Sequence, residues 1–412
     1  MDDLKKLHEG QARIEAPVAN VPLSLLDPYD AEVLRDPYPH YAALRELGPV
    51  VWMERYGVFA LPCYAEVKDV LADHNTYCSS AGAGLSNFHT EKPWRPPSLL
   101  LEADPPLHNR TRLQMVRVLN PGSVRALRAT FETEAERMVR AMLELGECDG
   151  VANLAEAFPL KVFGDAVGLR AEGRENLLPY GDMVFNAFGP TNARFRAVFE
   201  NMAAAPAWIA DACRRENLAP GGFGARLYEG VDSGDLSEDE AGLLVRSLLS
   251  AGLDTTVFTL GNALVNLARH PAQWDLLRDD PSLARNALEE VLRYDGTFHS
   301  FYRTTTRPVR LAGVDMGKSQ KVLVMTASAN RDVQQWPDPD KFDIARRTTG
   351  HMAFGHGIHA CVGQQMARME GEIVLATLAR MVASIELTGE PVLHFNNTVR
   401  GYKKVPLRIK AK

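Results

Sequence analysis

No two of the five cysteines in this 412-residue chain stand as C-x-x-C. Cys63, Cys78, Cys148, Cys213 and Cys361 are scattered, a pattern that argues against a zinc or iron–sulfur loop and fits a reducing compartment. The chain also lacks an uninterrupted apolar run of about 18 residues, and Met1 to Asn20 has no apolar signal-peptide core, so no membrane span is expected and a cytoplasmic protein is. Lys/Arg blocks are absent and the net charge is −6, which argues against nucleic acid as a partner. Repeats, low-complexity tracts and Pro/Gly/Ser linkers are missing too. Residues 1–412 therefore read as one domain, with residues 1–20 as a flexible N-terminal segment.

What is present is material for a large core, 46% hydrophobic residues against 24% charged. Helical periodicity dominates from about residue 105 to 300, with helices predicted over Ala126–Leu145, Glu238–Arg269 and Ser282–Tyr294. Short strands are predicted at Val50–Met53, Gly57–Leu61 and Lys321–Met325. Pro93–Pro106 reads as a loop long enough to act as a lid. The class is mainly α with small peripheral sheets.

One cysteine has unusual surroundings. In Phe354-Gly355-His356-Gly357-Ile358-His359-Ala360-Cys361-Val362-Gly363, a glycine-rich loop runs into a helical pattern beginning at Gln364. Glycines permit close approach of the backbone to something flat, and the start of a helix favours a thiolate. An inert buried cysteine is the plainer reading of one such residue, and a cysteine nucleophile with His359 as base is another. A second cluster, Ala251-Gly252-Leu253-Asp254-Thr255-Thr256, puts a Gly and two β-branched residues inside the longest helical run, at a cost of roughly 2 kcal/mol relative to alanine. A Thr hydroxyl there can bond back to the carbonyl four residues earlier and open a bulge, whether for packing or for chemistry.

Both strings resemble the signatures of cytochromes P-450: F-x-x-G-x-x-x-C-x-G, whose thiolate is the axial ligand of haem b iron, and A/G-G-x-D/E-T-T/S, whose groove admits dioxygen. The resemblance covers nearly the whole chain and implies the triangular-prism fold of about a dozen helices. It implies Cys361 as the metal ligand, with Phe354, Gly355 and Ala251 against the haem. Asp254 and Thr255 would be the acid–alcohol pair that delivers protons. The E-x-x-R motif falls on Glu290 and Arg293, completed by Arg346, a structural network. Asp104-Pro105-Pro106-Leu107-His108-Asn109-Arg110-Thr111-Arg112 resembles D-P-P-x-H-x-x-x-R, so that His108 and Arg112, with Arg303 and His359, would bind the haem propionates. A solvated basic face is the alternative for His108 and Arg112. At Asp295-Gly296-Thr297-Phe298 the chain departs from relatives that often carry a proline.

Ser247 and Ser250 share a helical stripe with Ala251, Asp254 and Thr255, which makes the distal wall polar unless both hydroxyls simply bond back to the preceding turn. Arg246, Arg95 and Ser98 add cations and donors. Phe185, Phe188, Phe298 and Phe301 fall in substrate-contact regions of the family and could form a flat slot, or be generic core. Aromatic slot and polar cap together resemble the bacterial branch that oxidises para-substituted benzoates, which implies a small aromatic carboxylate substrate, O2, and electrons from a [2Fe–2S] ferredoxin with an NAD(P)H-dependent flavin reductase. No flavin or iron–sulfur motif occurs in the chain itself, and Arg117, Arg346, Arg347 and Arg368 are expected near the ferredoxin-facing surface. Competing readings are a monooxygenase of another small apolar substrate such as a terpenoid, a haem ligand sensor that would need no Asp254–Thr255 pair, and a non-haem fold with a structural cysteine.

Overall fold

A computed structural model describes residues 16–201 and 204–412. Most of the N-terminal segment expected to be flexible, residues 1–15, lies outside the described residues.

The helices that build the site are α1 (Leu107–Val118), α2 (Arg128–Leu145), α3 (Leu177–Asn186), α4 (Glu238–Ala251), α5 (Asp254–Arg269), α6 (Ala284–Tyr294) and α7 (Gln364–Met381). Seventeen α-helical segments are found among the described residues, more than the expected dozen, because short turns stand apart and the longest run is cut. That run, predicted as Glu238–Arg269, is apolar and long enough to cross a membrane by composition, yet it is packed inside the protein. The capping box of Ser237 and Glu240 starts α4, and three acids in its first turn suit the helix N-terminus. The helix stops at Ala251, and Gly252 and Leu253 stand between it and α5. Gly252 is needed there: a Cβ would lie 2.6 Å from the Phe163 ring.

Two boundaries differ from expectation. Arg128 rather than Ala126 begins α2, since Pro121–Ala126 forms its own short helix capped by the Asn120 side chain. Before α6 a 3-10 turn, Pro281–Leu283, takes up the expected first residues, with Asp280 accepting from the Ser282 amide.

The predicted strands are neighbours in the interior of a six-stranded sheet made of β1 (Leu23–Ser24), β2 (Val51–Met53), β3 (Val58–Leu61), β4 (Tyr77–Cys78), β5 (Phe301–Thr305) and β6 (Lys321–Val324), in the order β1-β2-β3-β6-β5-β4. Antiparallel pairing sets Phe301 opposite Val324, Arg303 opposite Val322 and Thr304 opposite Lys321. The main core lies among the helices, and a second apolar cluster, including Trp52, Phe59 and Val322, lies on the sheet. Helix α7 packs on both α6 and α2, which fixes the cysteine loop against the helical core.

Candidate active site

Cys361 sits three residues ahead of α7 on a loop whose shape depends on glycine. Gly355 and Gly357 have φ of 69° and 71°, and a Cβ at Gly357 would lie 2.2 Å from the Leu71 carbonyl. The Cys361 amide donates to the Phe354 carbonyl at 2.8 Å, closing the loop. Burial pushes the thiol up, and the Gly363 and Gln364 amides together with Arg112 and Arg368 pull it back toward the thiolate. Cys361 opens onto a large, mostly apolar cavity.

Arg112, Arg303 and His359 line one edge of that cavity, and His108, which does not line it, packs behind His359. His108, 1% exposed, and Arg112 lie one turn apart on α1. Arg303 comes from β5 and His359 from the cysteine loop. The ring nitrogens Nε2 of both His108 and His359 are buried without a partner. Asp104 Oδ1 is 4.0 Å from His359 Nε2, too far for a hydrogen bond, and it already accepts from the Ser79 amide while Oδ2 accepts from that of Ser80. Burial, Arg303, His108 and Arg112 press His359 down to about 3, and burial presses Arg303 to about 10. Arg112 Nη2 donates to the Ala360 carbonyl at 2.7 Å. So much unpaired donor capacity in one place calls for anions.

On the opposite side, Thr255 lines the cavity and its hydroxyl donates to the Ala251 carbonyl at 3.2 Å, the back-bond anticipated from sequence. Asp254 is 3% exposed, points away from the cavity and packs on α3, where a Cβ at Gly181 would fall 2.1 Å from its Oδ2. Burial, then the charges of Asp182 and Glu156, hold its carboxyl well above the usual range. Asp254 is thus a buried acid, its carboxyl held above the usual range, behind an alcohol.

Phe185, Phe188, Phe298 and Phe301 do meet on one wall, with Phe185–Phe298 ring centroids at 5.8 Å and Phe298–Phe301 at 5.6 Å. Above them Arg95, Ser98, Ser247 and Ser250 line the cavity. Ser247 donates back to Leu243 O at 2.9 Å and its oxygen is 3.2 Å from Ser98 Oγ, while Ser250 donates to Ser247 O at 3.4 Å. Arg246 departs from expectation, because it does not line the cavity. Its Nη2 donates to Pro96 O at 2.7 Å, so that it clamps the loop carrying Arg95 and Ser98. Arg95 is paired with Glu102 at 3.2 Å, but its buried Nε has no partner.

Glu290 and Arg293 are fully buried and bidentate, at 2.7 and 2.8 Å, with Arg346 Nε 3.3 Å from the same carboxylate. Arg293 also donates to Asn330 O and Pro339 O, anchoring the segment that leads to the cysteine loop.

Comparison with known proteins decides the family. Residues 223–381 match the cytochrome P450 family model. The chain is 52% identical to cytochrome P450 CYP199A2 of Rhodopseudomonas palustris over 95% of each protein, and 32% identical to the cytochrome P450 monooxygenase PikC of Streptomyces venezuelae, again over 95% of each. Among solved structures, cytochrome P450 CREJ in complex with (4-ethylphenyl) dihydrogen phosphate superposes with a TM-score of 0.84 at 26% identity, covering 93% of this chain and 99% of that one. The chain belongs to the cytochrome P450 family. It is a monooxygenase of that type, with haem held by a cysteine thiolate, and as a cytochrome P450 it uses O2 and redox partners.

The donor set fits that cofactor. A thiol opens onto the cavity, and the orphaned nitrogens of His108 and His359, with Arg303 and Arg112, match the two carboxylates that haem carries at one edge.

Two buried acids, one behind the wall of this P450 cavity and one lining it, were not singled out from the sequence. Glu102, which holds Arg95, lies in a loop where no periodicity announces its direction. Glu370, 1% exposed on α7, lines the cavity with both carboxyl oxygens unpartnered and is pushed up to about 8 by burial. Its signal was available: one acid at an inward position among Met366, Met369, Ile373 and Val374.

Proposed function

We propose that this P450 oxidises small para-substituted benzoates, with 4-methoxybenzoate O-demethylation as the model reaction. The observation that carries the reading is the buried, unpartnered Nε of Arg95 at the cavity wall. Around it, Arg95 and Arg246 supply two positive charges and Glu102 one negative charge, leaving a surplus that a carboxylate would neutralise. A hydrocarbon ligand would leave that donor desolvated and unused. Ser98 and Ser247 offer further hydroxyls, and the four phenylalanines offer a flat apolar bed for the ring. The relative CREJ, whose complex holds a para-substituted aromatic anion, supports the same class of ligand.

In this reading Cys361 would ligate the iron, His108, Arg112, Arg303 and His359 would hold the propionates, and Phe354, Gly355 and Ala251 would lie against the ring. Haem supplies activation of O2. The protein's own part is to seat the substrate, exclude water and move protons through Thr255 and Asp254. The balance is one O2, two electrons and two protons per methoxy carbon hydroxylated, giving water and a hemiacetal that collapses to 4-hydroxybenzoate and formaldehyde. The electrons come from a [2Fe–2S] ferredoxin served by an NAD(P)H-dependent flavin reductase.

The test compares binding of 4-methoxybenzoate with that of its methyl ester, followed by the haem spin-state change. The acid should bind at least about tenfold more tightly to wild type, and Arg95→Ala should abolish that preference. Equal affinities for acid and ester in wild type would overturn carboxylate recognition.

A further inference from the structure

Lys321, on β6, is 7% exposed, and the partners of its Nζ among the described residues are carbonyls, not carboxylates. Instead its Nζ donates to three backbone carbonyls of one loop, Ala81 at 2.9 Å, Gly82 at 2.9 Å and Gly84 at 2.8 Å. An ammonium has three protons, and here each has one acceptor. Three carbonyl dipoles converging on one positive charge is the chemistry by which proteins coordinate bare monovalent cations.

We propose that this carbonyl cage is a monovalent-cation site filled by the protein's own Lys321 ammonium, and that the cation fixes the loop on which one wall of the aromatic slot rests. The loop reaches that wall directly. The Leu85 amide donates to Phe188 O at 2.8 Å, and Gly84 passes so close that a Cβ would lie 2.8 Å from the Phe188 Cα. Tyr302 N, next to Phe301 on β5, donates to Ala83 O at 2.9 Å. Gly82, at φ +91°, turns the chain so that its carbonyl and that of Ala81 face the same point, and Ala81 O also accepts from the Phe88 amide at 3.0 Å. Without a cation, carbonyls aimed at one point repel one another.

Burial pushes the ammonium down to about 7, with Arg303 adding to that and Cys78, Glu91 and Glu102 opposing it. The groups that favour the charged form at contact distance are the three carbonyl dipoles, not a carboxylate. Lys321 touches neither substrate nor haem in this assignment and acts as a positioning residue.

The experiment follows hydrogen exchange at the Leu85 and Phe88 amides in haem-loaded protein without substrate, so its outcome does not depend on which substrate the enzyme takes. Lys321→Ala removes the three outer methylenes and the ammonium, leaving space the shape of n-propylammonium. Exchange at both amides should rise by roughly tenfold or more. Added n-propylammonium or K⁺ should restore protection, and 1-propanol, of similar shape but neutral, should not. Lys321→Met, which keeps the apolar volume, should lose the same protection and should not respond to n-propylammonium. Wild-type protection in Lys321→Met, or equal effects of n-propylammonium and 1-propanol on Lys321→Ala, would overturn the proposal.

Discussion

The imidazole rings of His108 and His359 lie with centroids 4.3 Å apart and planes tilted by 52°, one from a helix and one from the cysteine loop, and neither Nε2 has a partner. Two partnerless ring nitrogens this close, beside Arg303 and Arg112, make a site that an anion would satisfy. His108→Phe and His359→Phe each keep an aromatic ring and remove a donor. Each should speed transfer of haem to apomyoglobin by about tenfold, with the double variant faster still. Unchanged transfer in both single variants would detach them from haem retention.

Thr255 faces the cavity and Asp254 is the acid buried behind it. Thr255→Ala should bind substrate with an undiminished spin-state change yet divert electrons to hydrogen peroxide. Asp254→Asn should slow turnover by about 10²-fold, as loss of a proton-transfer acid does. Normal coupling and rate in both variants would reduce the helix break to a packing feature.

Glu370 makes stability depend on pH. Its folded value of about 8 lies above the ordinary 4.5. Between these the folded protein holds a proton that the unfolded chain has released, so this carboxyl makes stability fall as pH rises through that window. Glu370→Gln should match wild type near pH 4.5 and exceed it at pH 8 by no more than about 5 kcal/mol. Denaturant unfolding of haem-loaded protein at the two pH values reads the difference, and a wild type with no such slope relative to Glu370→Gln would contradict it.

Electron delivery should need a separate ferredoxin and reductase and should weaken as salt rises. The surface expected to receive them is less basic than its sequence implies: Arg117 pairs with Asp235 at 2.8 Å, Arg346 is held by Glu290, and Arg368 pairs with Glu289 at 2.5 Å. The salt dependence is therefore expected to be shallow, and exposed Leu113 and Val116 on α1 to contribute. Turnover with NADH and the purified chain alone would contradict the need for partners.

Much of this was legible in the chain. The cysteine loop is a short string whose spacing leaves few alternatives, while the Ala251–Thr256 cluster and the link from Glu290 and Arg293 to Arg346, 56 residues on from Glu290, were readable through the family resemblance. The polar cap was legible only in part. Arg246 and Arg95 look alike in sequence, and the path of residues 93–106 decides that one clamps the loop and the other faces the cavity. No local pattern encodes that path, nor does any encode the Lys321 cage, whose acceptors are backbone carbonyls about 240 residues away.

The most direct test of the central claim is product analysis of 4-methoxybenzoate turnover with ferredoxin, reductase and NADH. One 4-hydroxybenzoate and one formaldehyde should form for each NADH oxidised. NADH consumption that yields only hydrogen peroxide, with no change in haem spin state on adding the acid, would contradict it.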